Sequence, residues 1–224
     1  MTDDHKSGRI RPVAFHAAEG TGDWRVLGEG ACAFFRTGSF EHGVRLVAAL
    51  GAALAGHGDA AVDLRPDGVT VRLVDSGPDY YGLTERHLVL ARLVSAAARE
   101  AGATPEPESV QTVQVTVDAL DLPAVTAFWR ALLGYEHRSG SPEDLIDPRR
   151  RGAPFYFQQM DAPRPERNCV HVDVWVPHDR AKDRVAAALA AGGRLVNDAD
   201  APVLWVLADP EGNEVCVGAA GATA

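Results

Sequence analysis

The second half of the chain repeats itself. "VQTVQVTVDALDLPAVTAFWRALLGYE" reads as an alternating strand, a helix and a glycine stop. "NCVHVDVWVPHDRAKDRVAAALAAGGRLV" has the same order, with a strand over 169–176, a helix over 179–191 and Gly192-Gly193. Shorter strands follow each copy, near 154–160 in the first and at 203–207 and 214–218 in the second. Two βαβββ units in tandem imply a duplicated fold whose curled sheets face each other around a cleft. The last two strands meet at Asp209-Pro210-Glu211-Gly212-Asn213, where Pro presets one dihedral and Gly permits a positive φ. That turn is predicted to aim Cys216 into the cleft.

The first half has another rhythm. Short strands at Trp24–Leu27 and Ala31–Arg36 precede a helix behind Ser39, a plausible N-cap, with Phe40, Val44, Val47 and Leu50/Leu54 inward. A hairpin turns at Pro66-Asp67-Gly68, and a helix follows Thr84 with Leu88, Leu90/Ala91 and Val94 inward. "AGATPEPESV" has two prolines, a helix-stopping Gly102 and no apolar period, so it reads as a joint. The predicted fold class is α+β. Residues 1–102 form a small sandwich of helices on an antiparallel sheet, 103–109 a linker, and 110–224 the paired βαβββ modules.

Composition narrows the function. A net charge of -9 disfavours nucleic acid and anionic membranes as partners, since both need a basic face. No apolar run approaches membrane length, and "MTDDHKSGRIR" lacks an apolar signal core. Three cysteines without framework spacing point to a reducing cytoplasm.

With these pieces in view, residues 110–219 resemble the vicinal-oxygen-chelate superfamily, which includes glyoxalase I, extradiol dioxygenases and bleomycin-resistance proteins. "VDALDLPAVTAFWRALLGYE" and "DPEGNEVCV" carry the resemblance. It implies four ligand positions on inward strand faces, two per module, usually His or Gln with Glu. Carried over, these fall on Gln114, on Tyr156 or Gln158, on His171 and on Cys216, the last in place of a carboxylate. Hard divalent ions want anionic oxygen, which this set lacks, and zinc would find only an incomplete set in Gln114, His171 and Cys216. The expectation is a ligand pocket without a resident metal; if a metal binds, those three are its donors. Asp173 is placed to orient His171, bind a ligand hydroxyl or pair with an arginine such as Arg167. Trp175 and Trp205 are read as lining the cleft, and Trp129 as core. "DPRRRG" at 147–152 is a basic run, either a solvated loop or an anion site able to gate the cleft.

Residues 24–100 resemble the pterin-4a-carbinolamine dehydratase family through "FFRTGSFEHGVRLVAAL", "VDLRPDGVTVRLV" and "YGLTERHLVLARLV". The family's active site uses a His-His-Pro stretch, a later His and a helical Asp. Aligned on "VDLR", these positions hold Gly58, Asp59, Ala60, Ser76 and His87. A shift of one or two residues leaves His57 as the single candidate acid–base group; its other reading is a cap on the preceding helix. Tyr80-Tyr81 could stack on a planar ring or simply pack. The expected function is therefore binding of a small organic molecule in the second domain, beside a non-catalytic first domain, with a homodimer possible. The alternative is an enzyme, either a glyoxalase-type lyase, isomerase or dioxygenase, or a pterin dehydratase.

Overall fold

The computed structural model describes residues 8–28, 30–58, 60–77, 79–163, 172–176 and 180–219. The chain divides into two compact units, Met1–Thr112 and Val113–Ala224.

The first unit runs β1 (Arg9–Ile10), α1 (Pro12–Ala17), β2 (Arg25–Leu27), β3 (Gly30–Arg36), α2 (Phe40–Leu54), β4 (Ala61–Arg65), β5 (Gly68–Leu73), β6 (Asp75–Gly77), β7 (Tyr80–Thr84), α3 (Glu85–Glu100) and β8 (Thr104–Pro105). An antiparallel sheet in the order β2-β3-β5-β4 packs against α2 and α3, and a smaller one runs β1-β7-β6. Phe15, Trp24, Phe35, Leu46, Leu73 and Leu90 fill the core. The Trp24 indole N–H donates to Ser95 Oγ at 3.1 Å, so its burial strands no donor.

Two expectations change here. In α2, Phe40 and Val44 are 55% and 48% exposed, while Gly43, Leu46, Leu50 and Leu54 face inward. The helix carries apolar residues on more than one face, so spacing alone left its phase open. Gly43 lies on the inward face, where a Cβ would come 2.4 Å from Leu64 Cδ1 of the hairpin. The predicted linker 103–109 is docked on the sheet. Phe35 and Arg36 of β3 pair with Pro105 and Thr104, and Glu106 N–H donates to the Phe34 carbonyl. The Arg36 guanidinium also grips both Glu106 carboxylate oxygens. Proline breaks a helix but not an edge strand, so the signal read as a joint is equally the signal of a short edge strand.

The second unit contains β9 (Val115–Ala119), α4 (Leu122–Leu133), β10 (Glu136–Arg138), β11 (Ser141–Ile146), β12 (Phe155–Gln159), β13 (Val172–Trp175), α5 (Ala181–Ala190), β14 (Arg194–Asn197), β15 (Leu204–Ala208) and β16 (Glu214–Gly218). The sheets are ordered β10-β11-β12-β9 and β13-β16-β15-β14. In each, the first strand of the module pairs parallel with its last. The duplication read from the sequence is thus present as two βαβββ modules. Asp121 caps α4 by accepting from Ala124 N–H, Pro123 lies in the first turn, and Gly134 closes the helix at φ 68°. Helices α4 and α5 pack together in one core with Phe128, Trp129, Phe157, Leu207 and Val217.

The turn between β15 and β16 helps hold the modules together. Asp209 is fully buried and accepts from the Trp129 indole N–H, from Asn213 Nδ2 and from the backbone N–H groups of Glu211 and Asn213. Glu211 reaches back to the first module and accepts from the N–H groups of Leu120 and Asp121, just before α4. Gly212 takes φ 94°, which the turn requires. The specific chemistry of "DPEGN" is accounted for by this latch.

No helix among the described residues is long and apolar enough to cross a membrane.

Candidate functional site

Side chains alternate across a strand, so the core residues identify the opposite face. Helix α4 packs on β11 and β12, and α5 on β16. Val115, Val117, Phe155 and Phe157 join the helix-side core of the first module, which sends Thr116, Asp118, Tyr156 and Gln158 to the other face. Val172, Val174, Val215 and Val217 do the same in the second module and send Asp173 and Cys216 to its other face.

Register relates the two modules position by position. Tyr156 pairs with Thr116 across β12 and β9, and Cys216 pairs with Asp173 across β16 and β13. Gln114 and His171 each stand two residues before those partners in sequence. By the internal repeat, Tyr156 is therefore the counterpart of Cys216, and Gln158 lies one step further along the same face. Gln114 and Gln158 are exposed, and Tyr156 is half-buried. His171 lies outside the described residues, as does the side chain of Trp175.

Trp205 requires a correction. It is 7% exposed and packs in the helix-side core, while its neighbour Val206 pairs with Cys216 on the other face. One residue of strand phase separates the two readings. Trp129 is core, as expected.

The Cys216 thiol is shaped by its neighbours. Burial first, then the Asp173 carboxylate hydrogen-bonded to it and the nearby charge of Glu214, push its pKa up. The thiol is consequently held protonated and is a poor nucleophile. Gln114, Tyr156 and the protonated Cys216 thiol bring a hard divalent cation no anionic oxygen of their own, and the neighbouring Asp173 carboxylate is hydrogen-bonded to that thiol. Among the described residues no group of three or more His, Cys, Asp or Glu is arranged to hold a metal.

One polar group escaped the sequence reading. Asp144 is buried, lies opposite Tyr156 on β11, and accepts from Ser141 Oγ at 2.5 Å and Arg138 Nη2 at 2.9 Å. Asp144, Tyr156 and Thr116 make one row across three strands, visible only once the register is known.

In the first unit, His57 is exposed in the turn after α2, and its backbone N–H donates to the Leu54 carbonyl. Ser76 is exposed on β6, and Asp59 lies outside the described residues. An open groove of about 500 Å³ beside the end of α2 is lined by Val47, Leu50, Leu54, Ala60 and Val62 among others. Among the described residues that lining holds no acid or base. Tyr80 donates to the Leu83 carbonyl and lies under the Arg9 guanidinium.

His87 has a structural task. It is buried, and its Nδ1 accepts the Thr84 backbone N–H at 2.9 Å, completing a capping box at the start of α3. A backbone N–H only donates, so Nδ1 carries no proton and the ring is neutral. Burial first, and then the charge of Arg86, lower its pKa. The unfolded chain therefore takes up the proton first, and the first unit should lose stability as pH falls below the ordinary histidine value of about 6.5. Amide exchange in α3 checks this, with protection expected to decline from about pH 7 to about pH 5. His87→Gln keeps an acceptor at the same helix position and should flatten the decline; an unchanged profile would show that His87 is not its source.

The fold defines a class. The second unit is a pair of βαβββ modules with polar residues gathered on the faces turned from the helices, the architecture of the vicinal-oxygen-chelate superfamily. Residues 114–218 match the glyoxalase-like domain family, so the chain carries a glyoxalase-like domain in its second half.

Solved structures similar to this chain include a glyoxalase/bleomycin resistance protein/dioxygenase family enzyme from Burkholderia phytofirmans PsJN, at 19% identity over 47% of this chain and 95% of that one, with a TM-score of 0.40. A glyoxalase/bleomycin resistance protein from Albidiferax ferrireducens T118 aligns at 21% identity over 47% and 95%, with a TM-score of 0.37. The fosfomycin resistance protein FosX from Listeria monocytogenes aligns at 15% identity over 50% and 92%, with a TM-score of 0.38. No curated protein matches the chain.

Proposed function

We propose that the second unit binds a small organic molecule, aromatic or heterocyclic, on the face bearing Gln114, Tyr156, Asp173 and Cys216, without a resident metal. The observation that carries this reading is the Asp173–Cys216 pair. Where metal-dependent relatives would place a carboxylate ligand, this chain has a thiol kept protonated by burial and by the adjacent Asp173 carboxylate. Such a thiol serves as a small, polarisable wall for a ligand rather than as a donor to a hard ion or an attacking group.

The first unit is a non-catalytic relative of the pterin-4a-carbinolamine dehydratases in this proposal. Dehydration of a carbinolamine needs a positioned acid and base. His57 is exposed in a turn, His87 is committed to a helix cap, and the groove near His57 is apolar.

Alkylation of the native protein by iodoacetamide, read by mass spectrometry with and without candidate ligands, tests the binding site. Cys216 should label slowly, with a rate that rises only above the pH range of an ordinary thiol, and a bound ligand should protect it. Asp173→Asn removes the charge that opposes the thiolate and should move the rate–pH curve to lower pH. Labelling only after denaturation would place Cys216 in the core and end the proposal. Stoichiometric metal in protein purified without chelator, lost in His171→Ala, would turn the reading to an enzyme.

A further inference from the structure

The connection from β11 to β12 brings three consecutive arginines, Arg149, Arg150 and Arg151, to the sheet end where Tyr156 stands second in its strand. One side chain sets the shape of this loop. The Asp147 carboxylate accepts the backbone N–H groups of Arg149, Arg151 and Gly152, each at 2.9 Å, and the Asp147 carbonyl accepts that of Arg150 at 2.8 Å. Burial alone would raise the Asp147 pKa, but the three amides and the charge of Arg151 outweigh it and lower it instead.

The arrangement is costly in two ways. Arg150 takes φ 55°, the one positive φ outside glycine among the described residues. Left-handed backbone is unfavourable for an L-residue, and such conformations persist where the surroundings over-determine them. Three consecutive arginines also bring like charges close together in the sequence, and the Asp147 carboxylate in their loop is taken up by backbone amides. Polar residues of any charge would close a connection of this length. Arg149 and Arg151 are exposed and carry no ion pair among the described residues. In a chain of net charge -9, the loop is a local concentration of positive charge at the edge of the polar face.

We infer that this loop is the anion-recognition element of the ligand site at Tyr156, so that the small molecule bound there carries a carboxylate or phosphate-like group held by Arg149 and Arg151. The inference rests on the binding function proposed above. Guanidinium forks match the paired oxygens of such groups bidentately, and Asp147 pre-orders the backbone that presents them, so little ordering remains to be done on binding. Gln114, whose neighbour Val115 donates its N–H to the Pro154 carbonyl at the end of the same loop, stands at the same edge of the sheet.

The test uses the full chain and two probes, inorganic phosphate and acetate, titrated at constant ionic strength while the backbone amides are followed by NMR. The amides of 149–152 should shift saturably. The double variant Arg149→Ala/Arg151→Ala should weaken the apparent affinity by about tenfold or more, and the double Lys variant, which keeps charge but loses the fork, should fall between. Saturation by both anions identifies a site for small anions generally, and saturation by phosphate alone a tetrahedral one; each supports the inference. Linear, unsaturable shifts with both probes, or equal saturation in a folded double Ala variant, overturn it. If the double variant does not fold, the single variants carry the same comparison. Protection of Cys216 by uncharged ligands does not depend on this loop, so failure of the anion site and failure of the binding site are told apart.

Discussion

Asp209→Ala is expected to cost the second unit roughly 3–5 kcal/mol, since a buried acceptor with several donors is removed at once. The Asp209 oxygens accept four hydrogen bonds, from the Trp129 indole at 3.0 Å, Asn213 Nδ2 at 2.7 Å, Glu211 N–H at 3.0 Å and Asn213 N–H at 2.8 Å. Alanine would leave the Trp129 N–H without its acceptor inside the core and release the turn whose Glu211 caps the first module. Trp129→Phe should be far milder, because it removes one donor and leaves the turn's own bonds to Asp209 in place. Amide exchange at β16 and α4 reads the change where it should occur. A loss of less than about 1 kcal/mol, the size of one ordinary hydrogen bond, would show that the latch is not a main tie between the modules.

Gly68→Val should be the comparable lesion in the first unit, destabilising it by about 3 kcal/mol through overpacking. Gly68 closes the Pro66-Asp67 turn, and its φ is not among the positive values. Its requirement is space. A Cβ there would lie 2.3 Å from Phe34 Cζ and 2.8 Å from the Phe35 carbonyl oxygen. The ring could swing aside, but the carbonyl belongs to the β3–β5 ladder and cannot move without breaking it. Urea unfolding of the variant measures the effect; an unchanged midpoint would mean that the hairpin accommodates a branched side chain.

Much of the architecture was legible because it is written in local pattern. The strand–helix–glycine order, stated twice, announced two modules. Ser39 and Thr84 announced helix starts, and each occupies an N-cap. The small sheet of β1, β6 and β7 was not legible, since strands of two to five residues carry too few alternations to register. Cys216 could be placed on the face away from the helices because Val215 and Val217 flank it with unambiguous core residues. Trp205 could not, since an aromatic side chain suits either face of a strand, and only packing chose.

By itself, then, the sequence determined the principal helices and the longer strands, where the main turns fall and that the second half is a duplication. Those properties depend on dihedral preferences and periodicities within a few residues. The tertiary structure alone decided the phase of α2, whose Leu46, Leu50 and Leu54 face inward, and the equivalence of Tyr156 with Cys216 through parallel register. It alone showed Asp209 to be a latch, and burial beside Asp173 to be what keeps the thiol protonated. Each of these joins residues far apart in the chain or strands whose relative slide no local pattern encodes. Hydrogen-bond partners and electric fields are properties of that arrangement, and they exist only once the chain has folded.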